Sequence, residues 1–87
     1  MKLNISLITP THNEQKNIYI IIENINLLKP KEVIIVDGNS TDNTRKLLKN
    51  LKIIKTKASR GTQLKKGAEH SKQEWLFFVH SDTQLHV

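Results

Sequence analysis

Val33-Ile34-Ile35-Val36-Asp37-Gly38-Asn39-Ser40-Thr41-Asp42 decides how this chain folds. Four β-branched residues in a row read as a strand buried on both faces, and the abrupt change at Asp37 to polar, turn-forming residues marks its end. Three other short apolar runs share that character: Ile5-Ser6-Leu7-Ile8 before it, Ile53-Ile54 after it, and Trp75-Leu76-Phe77-Phe78-Val79 near the C-terminus. All four are expected to be buried strands.

Helical patterns fill the intervals. Ile18, Ile21, Ile22, Ile25 and Leu28 fall at i, i+3, i+4, i+7 and i+10, one stripe of an α-helix. Thr11-His12-Asn13-Glu14 before it reads as a capping box, and Pro30 is expected to stop the helix. A second helix is predicted from Asp42 through Leu47, Leu48 and Leu51. A third runs from about Gly61 to Ser71, where Leu64, Gly67, Ala68 and Ser71 share a face small enough to lie close to a sheet. Strand alternating with helix argues for an α/β fold in three αβα layers, with a mostly parallel sheet and right-handed crossovers.

Composition narrows the function classes. The chain has 87 residues, 14 Lys+Arg against 8 Asp+Glu, a formal charge of +6 and no cysteine. Residues 1–87 form one small domain with no internal linker, and a disulfide framework, a thiolate metal site and a cysteine nucleophile are excluded. Leu, Ile, Val and Phe make up roughly 31% of the residues, above the level of about 20% below which chains stay disordered. The apolar run at Ile5 to Ile8 is too short for a signal peptide or membrane span, so a cytoplasmic chain is expected. Lysines are scattered rather than massed, and four aromatics without an RNA-binding signature argue against specific nucleic-acid binding. The positive balance suits anionic phosphates or peripheral contact with the inner face of an acidic membrane.

In parallel α/β sheets ligands sit outside the carboxyl ends of the strands. Those ends here are Thr9-Pro10-Thr11-His12-Asn13-Glu14, Asp37-Gly38-Asn39-Ser40-Thr41-Asp42, Lys55-Thr56-Lys57-Ala58-Ser59-Arg60-Gly61 and His80-Ser81-Asp82-Thr83. The inventory suits a phosphate-bearing ligand with a divalent cation: Lys57 and Arg60 to neutralise phosphate charge, Asp82 to hold Mg²⁺ or Mn²⁺. Asp37 serves either a ligand or the turn at Gly38, Asp42 is read as a helix cap, and His12 as a solvated loop residue. No G-x-G-x-x-G, Walker-type phosphate loop or G-x-S-x-G elbow follows any strand.

Taken together, Leu7 to Glu14, Val33 to Thr44, Arg60-Gly61-x-x-Leu64-x-x-Gly67-Ala68 and Phe78 to Thr83 resemble family 2 glycosyltransferases of the GT-A fold. The match is closest to a bacterial branch with a histidine before the metal-site aspartate. The resemblance covers residues 5–85. It implies that Thr9, Pro10 and Glu14 line a nucleoside pocket, with Glu14 near the ribose, and that Thr11, Gly38 and Ser81 belong to the same donor site. Asp37 would accept from the base edge of a uridine-type donor, and Lys57 and Arg60 would flank the base or diphosphate. Asp82 would coordinate Mn²⁺ or Mg²⁺, with His80 at the first position of the family's D-x-D motif. A histidine there suits Mn²⁺ better than Mg²⁺.

The resemblance further implies sugar transfer from a nucleotide-sugar donor to an unknown acceptor. No catalytic residue is assigned, because the base in such enzymes lies well downstream of the metal motif. The 87 residues are therefore expected to be a donor-binding part, truncated after that motif and inactive alone. Two rival readings are a non-catalytic nucleotide- or partner-binding module and a basic protein that holds nucleic acid electrostatically. An unpaired sheet edge is expected, and with it either a homodimer through that edge or aggregation.

Overall fold

The structure is a computed structural model that describes residues 3–85. The strands are β1 (Leu3–Thr11), β2 (Pro30–Asp37), β3 (Lys52–Lys55) and β4 (Trp75–Phe78). They form one sheet in the order β3-β2-β1-β4, every neighbouring pair parallel. The helices are α1 (Ile18–Leu28), α2 (Thr44–Leu47) and α3 (Arg60–Glu69), and a 3₁₀ turn at Gln15–Asn17 leads into α1.

The side-chain alternation of β2 builds the three layers. Ile34 and Val36 point to one face, where they pack with Ile8 and Ile54. Ile35 and Val33 point to the other, where Ile21, Ile18 and Ile25 of α1 meet Leu48, Leu51 and Ile53. Gly67 lets α3 lie almost on the first face: a Cβ there would stand 2.4 Å from Ile8 Cγ2 and 3.0 Å from Val36 Cγ2. The small-residue face expected of this helix is thus what seats it on the sheet.

Several local expectations give way to tertiary contacts. Thr11 does not cap α1; it stays in β1 and its hydroxyl donates to Asp37 Oδ1 at 2.7 Å. Glu14 does not reach back either, and its Oε2 accepts from Asn17 Nδ2 at 3.0 Å. α1 ends at Lys29, left-handed at φ 48°, whose N–H donates to Ile25 O, and Pro30 already begins β2. α2 is a single turn: residues 40–43 before it are held by the β1 loop, so it starts at Thr44, and it ends at Leu47 rather than running on to Leu51. Asp42 is not its cap, which is Asn43 without a side-chain bond; one residue earlier, Asp42 closes a turn instead, with Oδ1 accepting from both the N–H and the hydroxyl of Thr44. That hydroxyl bond is the leading cause holding the Asp42 carboxyl below its ordinary pKa.

β4 is the largest departure. It was expected to be buried on both faces, yet Trp75 is 65% exposed and Phe78 45%. The strand lies at the end of the sheet and, among the described residues, pairs only with β1. Beyond it the chain turns inward: Val79 N–H donates to Ile8 O at 3.0 Å, and Val79 is buried. No described helix is long and apolar enough to cross a membrane.

Glu32 ties the amino ends of the strands together. Its Oε1 accepts from the Ser6 hydroxyl at 2.6 Å and the Lys72 N–H at 2.8 Å, and Lys52 Nζ lies 4.0 Å from Oε2. Burial alone would raise its pKa, but the Lys72 N–H, the Ser6 hydroxyl and the Lys52 and Lys72 charges outweigh it and hold the carboxyl below its ordinary value. Such a group favours the folded state above its unfolded pKa, and that contribution is lost as pH falls through the folded value. Urea midpoints measured over a pH series should therefore fall below about pH 4. Glu32→Gln should lower stability by about 1 kcal/mol at neutral pH and flatten that acid decline.

Candidate functional site

The loops after β1 and β2 are zipped into one unit before any ligand is considered. Asn13, left-handed at φ 53°, accepts through Oδ1 from Thr41 N–H at 2.8 Å, and its own N–H donates to Ser40 Oγ at 2.9 Å. Asparagine tolerates that backbone region better than most residues. Glu14 N–H donates to Thr44 Oγ1 at 2.8 Å.

Asp37 is the hub of this unit. It is fully buried; Oδ1 accepts from the hydroxyls of Thr11 and Ser40, and Oδ2 from Ser40 N–H at 2.8 Å. Arg45 Nε stands 3.6 Å from Oδ2, so the buried charge has a counter-charge. His12 crosses the same junction, with Nδ1 2.6 Å from Gly38 O. A carbonyl only accepts, so Nδ1 carries the proton and Nε2 is left for another partner.

A cavity of about 150 Å³ opens where β1 and β4 end, beside the first turn of α3, lined by Pro10, Thr11, His12, Glu14, Arg60, Gln63, His80, Ser81 and Asp82. That is half the smallest usual ligand-pocket volume of about 300 Å³, so these residues supply a floor and walls of a more open site. The structure thus gathers Pro10, Thr11, Glu14, Arg60, His80, Ser81 and Asp82 from the sequence-derived set. Thr9, Asp37, Gly38 and Lys57 do not line it: Thr9, Asp37 and Gly38 are buried beside or beneath it, and Lys57 is exposed outside it.

Charge in the cavity is unneutralised. Among the described residues neither Arg60 nor Asp82 belongs to an ion pair. Asp82 sits on a turn closed by Thr83 N–H donating to His80 O at 3.1 Å, next to buried Ser81. Asn24 of α1 clamps that turn from behind: its Nδ2 donates to Thr83 O at 2.7 Å and its Oδ1 accepts from Leu85 N–H at 3.0 Å. No group of three or more metal-ligating side chains gathers among the described residues. His80 and Asp82 both line the cavity and carry the nitrogen and oxygen donors that Mg²⁺ and Mn²⁺ accept.

Three contributors escaped the sequence reading. His12 is exposed in its loop, as expected, and in addition lines the cavity. Asn24 is buried on the apolar side of α1. Gln63 is only 5% exposed and donates through Nε2 to Thr11 O at 2.9 Å and Val36 O at 2.8 Å. Its signal was its spacing from Gly67, which puts both on the sheet-facing side of α3.

An open parallel sheet with helices on both faces and a charged cleft at its carboxyl edge defines an open three-layer α/β domain of the kind that binds ligands at the ends of its strands. The chain belongs to glycosyl transferase family 2, whose sequence profile matches residues 6–87. Among solved structures it is similar to glucosyl-3-phosphoglycerate synthase from Mycobacterium tuberculosis in complex with Mn²⁺, UDP and glucosyl-3-phosphoglycerate. That match has 23% identity and a TM-score of 0.77 over 90% of this chain and 33% of that one. The same enzyme with Mg²⁺ and UDP matches at 22% identity and TM-score 0.79, over 92% of this chain and 34% of that one. A structure described as a mycobacterial protein matches at 24% identity and TM-score 0.78, over 90% of this chain and 31% of that one. The chain thus spans about a third of the length of these structures. No curated protein matches it.

Proposed function

We propose that this chain is the donor-binding part of a glycosyltransferase and binds a nucleoside-diphosphate sugar, UDP-linked, together with Mn²⁺ or Mg²⁺. The observation that carries the proposal is the convergence of unpaired Arg60 with Asp82 and His80 in one cleft at the carboxyl edge of the sheet. Family membership supports it, as do the fold relatives crystallised with UDP and a divalent metal.

The residue types fit the chemistry. Transfer breaks the anomeric C–O bond and leaves negative charge on the departing diphosphate. Arg60 offers forked N–H donors to that charge, and Asp82 and His80 would hold the cation that supplies Lewis-acid stabilisation there. Pro10 and Glu14 line the part of the cleft formed by the β1 loop, where the nucleoside would lie. The acceptor and the base that deprotonates it are assigned to no residue of this chain, and we expect it to bind donor without transferring sugar.

Calorimetric titration with UDP tests the proposal. Binding should require Mn²⁺, disappear with EDTA, and weaken about tenfold or more in Asp82→Ala, the loss expected when a charged ligand contact is removed. UDP binding that ignores both metal and Asp82 would overturn it.

A further inference from the structure

Gln63 holds an unused hydrogen-bonding atom at the floor of the cleft. Its side-chain NH₂ spends both protons on main-chain carbonyls, those of Thr11 in β1 and Val36 in β2. This fixes the amide orientation, since the flipped form would set Oε1 against two carbonyl oxygens. Among the described residues nothing donates to Oε1, and the atom is not sealed from the surface. Gln63 as a whole is 95% shielded, from its 5% exposure, and lines the cavity.

Gly38 keeps this atom uncovered. A Cβ at residue 38 would come within 3.0 Å of both Gln63 Cδ and Oε1, so glycine leaves the amide its space.

We infer that Gln63 reads the nucleobase of the donor: its Oε1 accepts the N3–H of uracil. The inference rests on the donor-site reading above. A neutral acceptor repels phosphate oxygens, so its ligand partner must be an N–H or O–H. Position then favours the base. Gln63 spans the ends of β1 and β2, while Asp82 and His80 follow β4 on the other side of β1. Two strand spacings, about 10 Å, separate the β2 and β4 ends. With diphosphate and cation at the β4 end, the nucleoside extends toward β2 and brings its base to Gln63. Asp37, which the sequence suggested for this contact, has its oxygens engaged by Thr11 and Ser40.

The consequence is selectivity. Uracil presents N–H at position 3, whereas cytosine presents a lone pair there, which would face the Oε1 lone pairs. A rigidly held acceptor discriminates between the two because its orientation cannot adapt.

The test is titration of the 87-residue chain, with Mn²⁺, against UDP, CDP and 3-methyl-UDP, in wild type and Gln63→Met. Wild type should bind UDP about tenfold tighter than CDP or 3-methyl-UDP, the ratio of one hydrogen bond. In Gln63→Met that advantage should vanish: losing the amide bonds to the Thr11 and Val36 carbonyls weakens both nucleotides alike, and UDP should lose about tenfold more than CDP, which brings the two affinities level. An equal loss for UDP and CDP would overturn the inference and point to a ribose contact or a packing role. Equal wild-type affinity for all three ligands would also overturn it while leaving the donor site standing. Failure of all three to bind would sink the donor-site reading and this inference together. The 3-methyl-UDP comparison needs no variant, so it decides the matter even if Gln63→Met does not fold.

Discussion

Asp37→Ala is expected to cost about 3 kcal/mol or more of folding stability and to abolish nucleotide binding, although Asp37 does not line the cleft. The carboxylate is fully buried and receives the Thr11 hydroxyl, the Ser40 hydroxyl and the Ser40 N–H. Alanine leaves those groups without an acceptor, and each buried polar group deprived of its partner costs about 1–3 kcal/mol. It also leaves the Arg45 guanidinium without its counter-charge. A domain of this size has about 4–13 kcal/mol in total, so a large share is lost. The binding effect follows from geometry: without Asp37 the buried hub that fixes Thr11 and Ser40 is gone, and only the Asn13–Ser40, Asn13–Thr41 and Glu14–Thr44 bonds still hold the two loops together. Asp37→Asn should cost less, because its oxygen keeps the Ser40 N–H and its NH₂ donates to hydroxyls that rotate to accept. Urea unfolding followed by far-ultraviolet circular dichroism measures both. Trp75 fluorescence would report poorly, since that side chain is already 65% exposed in the folded chain. Equal stability of wild type and Asp37→Ala would show that the loops are held by other means.

The same residue shows what a sequence discloses and what it hides. Val33 to Asp37 announced a buried strand and its end, because an unbroken β-branched run followed by Asp-Gly has few other solutions. Once the parallel alternation was recognised, topology alone put four polar loops on one edge, and most candidate site residues followed. Whether a given carboxylate faces ligand or protein was not legible, because that depends on which hydroxyls the neighbouring loop delivers. Asp37 meets Thr11 and Ser40; Asp82 meets none among the described residues.

β4 and Gln63 mark two further limits. Trp75-Leu76-Phe77-Phe78 is apolar enough for burial on both faces, but burial belongs to the neighbours and not to the strand. At the edge of the sheet, the described residues leave it exposed. Gln63 is a polar residue in a helix with two lysines, and the sequence reading assigned it no role. It is buried because Gly38, 25 residues earlier, vacates the space its amide occupies. Period and composition register an element's own pattern; they are blind to a vacancy on another element.

Gly67→Ala is expected to be strongly destabilising, against the usual sense of that substitution. In a helix interior alanine is favoured over glycine by about 0.5–1 kcal/mol. Here the new methyl would lie 2.4 Å from Ile8 Cγ2 and 3.0 Å from Val36 Cγ2, both side chains at 0% exposure in the centre of the sheet. Neither has room to retreat, so α3 must move outward by about 1 Å or more to restore contact distances near 3.5–4 Å. Overpacking of this kind costs about 1–3 kcal/mol, which exceeds the helical gain. Gly61→Ala supplies the control: it lies in the first turn of the same helix with nothing within 4 Å of its Cβ position, and should be neutral or slightly stabilising. The displacement also reaches the cleft, because α3 carries Arg60 and Gln63. Gly67→Ala should therefore weaken UDP binding as well as lower the urea midpoint, while Gly61→Ala leaves the midpoint at or above wild type. If the two variants shifted the midpoint in the same direction, the close seating of α3 on Ile8 and Val36 would not be what orders the site.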